Sequence, residues 1–334
     1  MAITAAKIIR KIEEFYPRAL AESWDNPGLL AGRSDREVHT VVIALDVSRR
    51  VVDLAVREHA DLILSHHPLI FGSIKSVNDE TFLGRKLLDL IENKISCYAM
   101  HTNFDIARNG MAYIAAEQLG LADFTPLEVT GEQDGETVGI GFVGDVTSAM
   151  MQRAEHLKDM KNTGLVSVRG ECSTGPGIPS GNASAAEAHH GPVYSFGSPD
   201  SARRQSDDRF PAAGQQTDGS FLTARQLAAL CKECFGLQSA FYYDGGRPIR
   251  RIAVCPGSGR HMMDAVISQG ADAFVTGDTG HHDGMDYFDE GITLVDAGHF
   301  GVEHIYVEHM KQFMEKQFPE VKLIKEVTDE RQYV

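Results

Sequence analysis

The sequence predicts an α/β fold built from two related halves, and three observations lead to this prediction. Short apolar runs alternate with amphipathic helical segments, a pattern typical of parallel sheets covered by helices. Residues 53–61 lie over residues 264–272 without a gap at an offset of 211 positions, which indicates an internal duplication. Polar side chains directly follow several of the apolar runs, where the strands of an open sheet end and ligands bind.

In the first half, an amphipathic helix precedes a β–α–β unit. The helix is predicted at residues 5–15, where apolar side chains recur at helical spacing. Strands at 41–46 and 62–66 flank a helix at 51–60, and a right-handed crossover makes the two strands parallel. Pro68 ends the second strand, because proline cannot continue a central strand. A helix at 79–93, a strand at 95–100, a helix at 110–119 and a strand at 137–143 follow.

The second half repeats this pattern. At the same offset, the strand at 41–47 lies over 252–258 and the strand at 62–65 lies over 273–276. The remaining predicted elements are a helix at 222–235, a strand at 239–243, a strand at 292–296, a helix at 303–318 and a strand at 321–326. We therefore expect the second half also to present polar groups at the ends of its strands.

The two halves are predicted at residues 1–148 and 222–334, and a flexible low-complexity insertion at 149–221 separates them. A helix is plausible at 149–161, but residues 172–220 consist mostly of Gly, Ser, Pro, Ala, Asp and Gln. Such a segment buries too little apolar surface to offset its ordering entropy. His189 and His190 fall inside it, and no metal role is expected for them.

Composition excludes several classes of protein. The net charge of −15 argues against a nucleic-acid partner, because such affinity depends on neutralising phosphates with Lys and Arg. No run of about 18 apolar residues predicts a membrane span, and a cytoplasmic location is the default expectation. The five cysteines are scattered and do not indicate a disulfide framework. Cys231 and Cys234 have the spacing of a zinc or redox pair, but they are interpreted as partly buried helix residues.

Histidines and carboxylates follow four of the predicted strands. They are His66 and His67, His101 and Asp105, Asp278 with His281, His282 and Asp283, and His299 with Glu303. A single histidine at a strand end is usually structural or exposed. Four such ends in two repeated halves indicate that the strand ends converge on a metal site.

The residue types at these ends indicate which metals fit. Imidazole nitrogens with carboxylate oxygens suit Zn, Mn, Fe, Co or Ni better than Ca or Mg. His66 and His67 are adjacent in an extended backbone and project in different directions, which favours two neighbouring metals. His299 and Glu303 can meet on one face of a helix. A carboxylate that bridges two cations about 3.5–4 Å apart would complete a dinuclear site that lowers the pKa of a bound water.

Four sequence blocks resemble the signature of the Nif-three-like dinuclear metal-centre family, whose members are often labelled GTP cyclohydrolase type 2 homologues. The blocks are Ser65-His-His-Pro-Leu-Ile-Phe71, His101-Thr-Asn-Phe-Asp105, Thr276-Gly-Asp278 and Asp296-Ala-Gly-His-Phe-Gly-Val-Glu303. Trp24-Asp-Asn-Pro-Gly28 and Ala44-Leu-Asp46 are also similar. The resemblance covers roughly residues 1–146 and 222–318.

The resemblance implies a site, an assembly and an activity. The metal ligands would be His66, His67, Asp105, His299 and Glu303, holding two divalent transition-metal ions per chain. The chains would form a toroidal homohexamer, a trimer of dimers with the sites facing the interior. His101 and His282 would move protons or orient a ligand, and Asp46 and Asp278 are weaker candidates for the same surroundings.

Two functions are consistent with these residues. The first is a metal-dependent hydrolase that acts on a small phosphorylated or nucleotide-type molecule through metal-activated water. The sequence carries no P-loop or other nucleotide fingerprint, so the GTP cyclohydrolase label comes from the resemblance alone. The second is a non-enzymatic metal-binding or regulatory scaffold. If replacing His101 or His282 removes turnover while the metals stay bound, the enzyme hypothesis is supported. If metal-loaded protein turns over no substrate, the scaffold hypothesis is favoured.

Overall fold

Two mixed β-sheets organise the chain, one of five strands and one of seven. The computed structural model describes residues 2–158, 166–168 and 221–332. The strands, in chain order, are β1 (Gly28–Ala31), β2 (Thr40–Ala44), β3 (Leu62–Ser65), β4 (Ser96–Ala99), β5 (Ala122–Gln133), β6 (Glu136–Asp145), β7 (Val166–Val168), β8 (Phe241–Tyr243), β9 (Arg251–Ser258), β10 (Ala273–Gly277), β11 (Thr293–Asp296) and β12 (Lys322–Glu326).

The helices lie between these strands. In chain order they are α1 (Ala5–Phe15), α2 (Arg49–Arg57), α3 (Phe82–Glu92), α4 (Thr102–Ile106), α5 (Met111–Leu119), α6 (Ser148–Lys158), α7 (Ala224–Cys234), α8 (Met263–Ser268), α9 (His281–Asp289), α10 (His299–Glu303) and α11 (Ile305–Gln317). Side-chain oxygens cap several of them: Thr4 caps α1, Ser48 caps α2 and Thr81 caps α3. The alternation of strands and helices confirms the predicted α/β class.

The five-stranded sheet has the order β1-β4-β3-β2-β12, with only β1 antiparallel to its neighbour. Its middle strands are buried on both faces, as their continuous apolar runs predict. Along β2, Val42 and Ala44 pack into a cluster with α2 and α3, whereas Val41 and Ile43 face the largest core cluster.

The seven-stranded sheet has the order β5-β6-β9-β10-β11-β8-β7. One face packs against α8 and α9 through Phe274 and Leu294, while Val275 and Val295 on the other face join the largest cluster. That cluster also contains residues of β2, β3, α1, α5, α7 and α11. Both sheets therefore share one apolar core.

The duplication is visible in detail. β2, α2 and β3 correspond in order to β9, α8 and β10 at the offset found in the sequence. Asp61 Oδ2 accepts hydrogen bonds from the backbone N–H groups of residues 39 and 40, at 2.7 and 3.0 Å. Asp272 Oδ2 does the same for residues 250 and 251, at 2.8 and 3.0 Å. The two aspartates fix the start of equivalent strands.

The last strand of each half lies in the sheet of the other half. β12 pairs in parallel with β2, and β6 pairs antiparallel with β9. Each sheet therefore contains strands from both sides of the predicted division at residues 148 and 222. Three strands, β1, β5 and β7, had no sequence prediction.

The segment predicted as an insertion is described only in part. The helix expected at 149–161 is α6, which buries Met150 and Ala154 in the largest core cluster. The predicted flexibility of the segment, and the positions of Cys172, His189 and His190, lie outside the described residues. No helix in the described ranges is long and apolar enough to cross a membrane.

Candidate metal centre

The five side chains predicted to bind metal come together at the carboxyl ends of β3, β4 and β11. His66 and His67 directly follow β3, Asp105 lies on α4 after β4, and His299 and Glu303 are the first and last residues of α10 after β11. β3 and β4 are parallel neighbours in the five-stranded sheet, so their carboxyl ends lie at one edge. β11 belongs to the seven-stranded sheet, and the packing of the two sheets brings its end to the same place.

Backbone contacts hold these strand ends in place. The His67 N–H donates to the Leu45 carbonyl at 2.9 Å, which keeps the chain beside β2 after β3 has ended. Ser65 Oγ donates to the His67 carbonyl at 2.9 Å. Gly298, with φ of +75°, turns the chain from β11 into α10, a conformation that favours glycine.

The Glu303 carboxylate lies at the centre of the group. Its Oε2 is 2.9 Å from His299 Nε2 and 3.0 Å from His67 Nε2, and these two nitrogens are 3.2 Å apart. Its Oε1 lies 3.8 Å from His66 Nε2. Each oxygen of one carboxylate therefore faces different imidazoles, as a bridging ligand would.

His66 and Asp105 form the second side of the group. His66 is fully buried, and its Nε2 is 3.5 Å from Asp105 Oδ1. Three buried atoms make no hydrogen bond of acceptable geometry to any described residue: His66 Nε2, Asp105 Oδ1 and Glu303 Oε2. Leaving such atoms without a partner costs about 1–3 kcal/mol each. Since all three point into the same space, they fit a cation as their common partner.

The other ring nitrogen of each histidine is fixed by an acceptor. His67 Nδ1 lies 2.8 Å from Asp46 Oδ1, and His299 Nδ1 lies 2.8 Å from Asp278 Oδ2. His66 Nδ1 lies 2.8 Å from the Met100 carbonyl. We assign the hydrogen to Nδ1 in each case, since the acceptors carry none, and this leaves the Nε2 lone pair for a metal.

The charges of the group are mutually compensating. Burial lowers the pKa of His67, but Asp46 and Glu303 outweigh it and raise the pKa to about 10. Burial also lowers the pKa of His299, but the Glu303 carboxylate outweighs it and raises the pKa to about 8. Burial raises the pKa of Glu303, but the three imidazoles outweigh it and hold this pKa well below its usual value. Without metal, protonated His67 and His299 therefore balance the negative charge of Glu303, and a bound cation would take over this role.

These shifts predict proton release when the site is loaded. His67 and His299 are mostly protonated at pH 7 without metal, because their pKa values are about 10 and about 8. A metal binds only neutral imidazole, so loading with Zn²⁺ at pH 7 is expected to displace about two protons per chain from them. Calorimetry in buffers of different ionisation enthalpy measures this number. Release should decrease as pH rises through 8 and again towards 10, and the apparent affinity should increase. Binding at pH 7 without proton release would contradict the assignment.

His101 lies beside the group and is anchored by Asp25, which was not among the predicted site residues. Its ring centroid is 5.3 Å from that of His66 and 5.6 Å from that of His67. The buried Asp25 carboxylate accepts from His101 Nδ1 at 2.8 Å and from the Thr102 N–H and hydroxyl at 3.0 and 2.6 Å. Burial raises the pKa of Asp25, but these hydrogen bonds outweigh it and lower the pKa to about 2. The clue in the sequence was the block Trp24-Asp-Asn-Pro-Gly28, which is similar to the family and contains Asp25.

The structure does not bring His282 to the group. It is exposed in the first turn of α9, where its ring contacts that of His281 at 5.4 Å. It lines neither of the two cavities that flank the cluster. Both CxxC cysteines lie on α7, where Cys231 is buried in the largest core cluster, and neither lines the two cavities that flank the cluster.

Two cavities flank the cluster. One, of about 560 Å³, is lined by Trp24, His101, Asp105, His299 and Glu303 among others. The other, of about 670 Å³, includes Asp46, His67, Lys86, His299 and Arg331. Both volumes suit a small molecule, and His299 borders both.

Comparisons with known proteins agree with this architecture. A family model described as Duf34/NIF3 (NGG1p interacting factor 3) matches residues 3–331. A GTP cyclohydrolase 1 type 2 homolog of Clostridium acetobutylicum is 26% identical over 316 residues, covering 94% of this chain and 91% of that protein. One from Staphylococcus aureus is 28% identical over 375 residues, covering 98% of this chain and 99% of that protein.

Solved structures show the same fold. A hypothetical protein of Staphylococcus aureus superposes with a TM-score of 0.71 at 23% identity and covers 100% of both chains. A Bacillus cereus protein related to NIF3 gives a TM-score of 0.71 at 19% identity, covering 100% of this chain and 99% of that one. Since the family model spans nearly the whole sequence, the resemblance seen in its motifs is confirmed, and the chain belongs to the Duf34/NIF3 family.

Proposed function

We propose that this protein is a dinuclear metal-dependent hydrolase. The observation that carries the proposal is the Glu303 carboxylate, whose Oε2 lies near His67 and His299 while its Oε1 faces His66. One position would be held by His67, His299 and Glu303 Oε2. The other would be held by His66, Asp105 and Glu303 Oε1.

The donor set favours two divalent transition metals per chain, among Zn, Mn, Fe, Co and Ni. Three imidazoles and two carboxylates provide five ligands for two ions, which leaves room for water and substrate. When bound, such a pair supplies a nucleophilic water at neutral pH and stabilises charge on a phosphoryl or amide oxygen.

The chain's own residues would position the substrate and move protons. Asp25 holds His101 through Nδ1, so its Nε2 is free to accept or donate a proton beside the cavity that Asp105 and Glu303 line. On the other side, Lys86 borders the second cavity and offers a positive charge to a phosphate. The substrate class we propose is therefore a small phosphorylated or nucleotide-type molecule, for which the names of the relatives give further support.

Activity profiling of metal-reconstituted protein against phosphate esters and nucleotides tests this proposal. The His101→Ala variant should keep its metals and lose turnover about 100-fold or more, because general acid–base catalysis contributes about 10²–10⁴-fold. The His282→Ala variant is the matched comparison, because this histidine is exposed and lines neither cavity, so full turnover is expected. Loss of turnover in this variant would support the predicted proton-transfer role of His282. Metal-replete protein that turns over nothing in the panel would overturn the hydrolase proposal and favour the metal-binding scaffold.

The homohexamer implied by the family resemblance stays a prediction. Several large apolar side chains are exposed on the described surface of the first half, which is consistent with an interface. They include Ile74, Val77 and Phe82. A mass measurement by light scattering distinguishes a hexamer from a single chain.

A further inference from the structure

The only tryptophan in the sequence lies exposed at the edge of the candidate metal centre. Trp24 is 58% exposed, although burying a large aromatic side chain is favourable by about 1.5–3 kcal/mol. Its indole lines the 560 Å³ cavity together with Asp105 and Glu303. An exposed apolar side chain is common on any surface, but this one borders the same space as two of the candidate metal ligands.

The loop that carries Trp24 is held firmly on both sides of the indole. The Glu22 N–H donates to Thr102 Oγ1 at 2.9 Å, and Asp25 makes the three hydrogen bonds to His101 and Thr102 described above. Asn26 Nδ2 donates to the Ile70 carbonyl at 2.7 Å. The contacts that position His101 thus also hold the indole in its exposed position. Because the loop is already ordered, a ligand that binds to the indole would cause little further loss of conformational entropy.

Neither of the two rings that contact Trp24 is stacked on the indole. The Phe71 ring lies 5.9 Å away at an interplanar angle of 45°, and the His101 ring lies 6.0 Å away at 76°. Within the described residues neither contact of the indole is a face-to-face stack. Phe71 is itself 57% exposed and makes an edge contact with His101 at 6.3 Å, so Phe71 and Trp24 form one exposed pair of aromatic rings beside His101.

We propose that Trp24, assisted by Phe71, binds a planar heteroaromatic ring of the substrate by stacking. The proposal rests on the proposed function for the reacting centre, and it narrows the substrate to a molecule with a base-like ring next to the bond that is hydrolysed. Stacking of a base on an aromatic side chain contributes about 1–3 kcal/mol and tolerates any base, because every base has a π face. Trp24 would therefore select for a ring and leave its identity to other contacts.

Trp24 also provides the test, because emission from a single tryptophan reports on this site alone. Titration with guanosine 5′-monophosphate should quench the emission saturably, whereas ribose 5-phosphate, which lacks the base, should not. Free N-acetyltryptophanamide, titrated in parallel, corrects for light absorbed by the nucleotide. A response to both ligands alike, or no saturable response, would overturn the proposal. Emission that depends on protein concentration without nucleotide would place a second copy over the indole and overturn it too.

The titration is made on metal-free and metal-loaded protein, so that the two proposals can fail separately. Quenching by the nucleotide in both forms without hydrolysis would support the stacking site and count against the hydrolase. Hydrolysis of ribose 5-phosphate and other esters without an aromatic ring at rates equal to those of nucleotides would support the hydrolase and count against the stacking site.

Variants separate stacking from general apolar contact. Because Trp24 variants lose the fluorescent group, their affinity for labelled guanosine 5′-monophosphate is measured by equilibrium dialysis. The Trp24→Leu variant should bind about tenfold more weakly or worse, and the Trp24→Phe variant should stay within about threefold of the parent. Phe241→Leu is the control, since Phe241 is 38% exposed on β8 and lines neither cavity beside the cluster. Equal affinity of the leucine variant and the parent would contradict a role for the ring.

Discussion

Replacing Glu303 with glutamine is expected to remove both metals from the protein. Glutamine keeps the shape of the side chain but loses the charge and one of the two oxygens that face His66, His67 and His299. Changes outside the ligand shell typically weaken metal binding about 10–100-fold, so loss of a ligand shared by two ions should cost at least about 100-fold. Mass spectrometry of metal content after dialysis against a weak chelator measures the effect.

The matched control for this variant is Glu315→Gln. Glu315 is exposed at the far end of α11 and pairs with Lys311, so its replacement should leave the metal content unchanged. Circular dichroism shows whether the Glu303→Gln variant keeps the fold, which is expected because His67 and His299 can lose a proton once the carboxylate that raises their pKa is gone. A folded Glu303→Gln variant that retains two ions per chain would show that Glu303 does not bridge them.

Replacing Gly257 with alanine is expected to weaken metal binding strongly, although glycine contributes no ligand. A Cβ at this position would clash with Glu303 Oε1, and it would lie near the His299 ring. The carboxylate is buried and held between three imidazoles, so it has little freedom to move away. We expect a loss of metal affinity of at least about tenfold, comparable to the effect of removing a residue that hydrogen-bonds to a metal ligand. Competition with a colour-forming chelator measures it.

The positive φ angle of Gly257 requires a control of its own. Gly257 has φ of +72°, and alanine in this region costs about 1–3 kcal/mol whatever surrounds it. Gly246 has φ of +73° with no atom within 4 Å of a Cβ placed there. Gly246→Ala should therefore lower the melting temperature by a similar backbone cost and leave the metal affinity unchanged. Equal metal affinity in both variants would show that contact with Glu303 is unimportant.

Much of the candidate site could be predicted from local sequence. His66, His67 and His101 come directly after or shortly beyond two neighbouring parallel strands, which bring such residues to one edge of a sheet. The spacing of His299 and Glu303 was sufficient to place them one helical turn apart on α10. Each set of ligands is therefore encoded locally, whereas the meeting of the two sets depends on how the two sheets pack.

The rest depended on contacts between distant segments. The exchange of β6 and β12 between the two sheets leaves no trace in local periodicity, because each strand has the same pattern whichever sheet it joins. β5 was missed because half of its residues are exposed and all of these except Val129 are polar. Asp25 looked like part of a turn, and only the fold shows that it anchors His101 across 76 positions.

The repeat also explains why the two halves contribute unequally. At the common offset, Asp46 and His66 correspond to Gly257 and Gly277. A side chain at Gly257 would meet the Glu303 carboxylate, and a Cβ at Gly277 would clash with the backbone nitrogen of His299. One half thus supplies the imidazoles of β3, and the other has glycines that make room for α10 and its ligands.

Anomalous diffraction from crystals of the metal-loaded protein tests the central claim most directly. Data collected on both sides of the absorption edge of the loaded metal locate each ion without reference to the protein coordinates. We predict two peaks, one among His67, His299 and Glu303 and the other among His66, Asp105 and Glu303, with the Glu303 carboxylate between them. A single peak, or peaks that do not contact Glu303, would contradict a dinuclear centre.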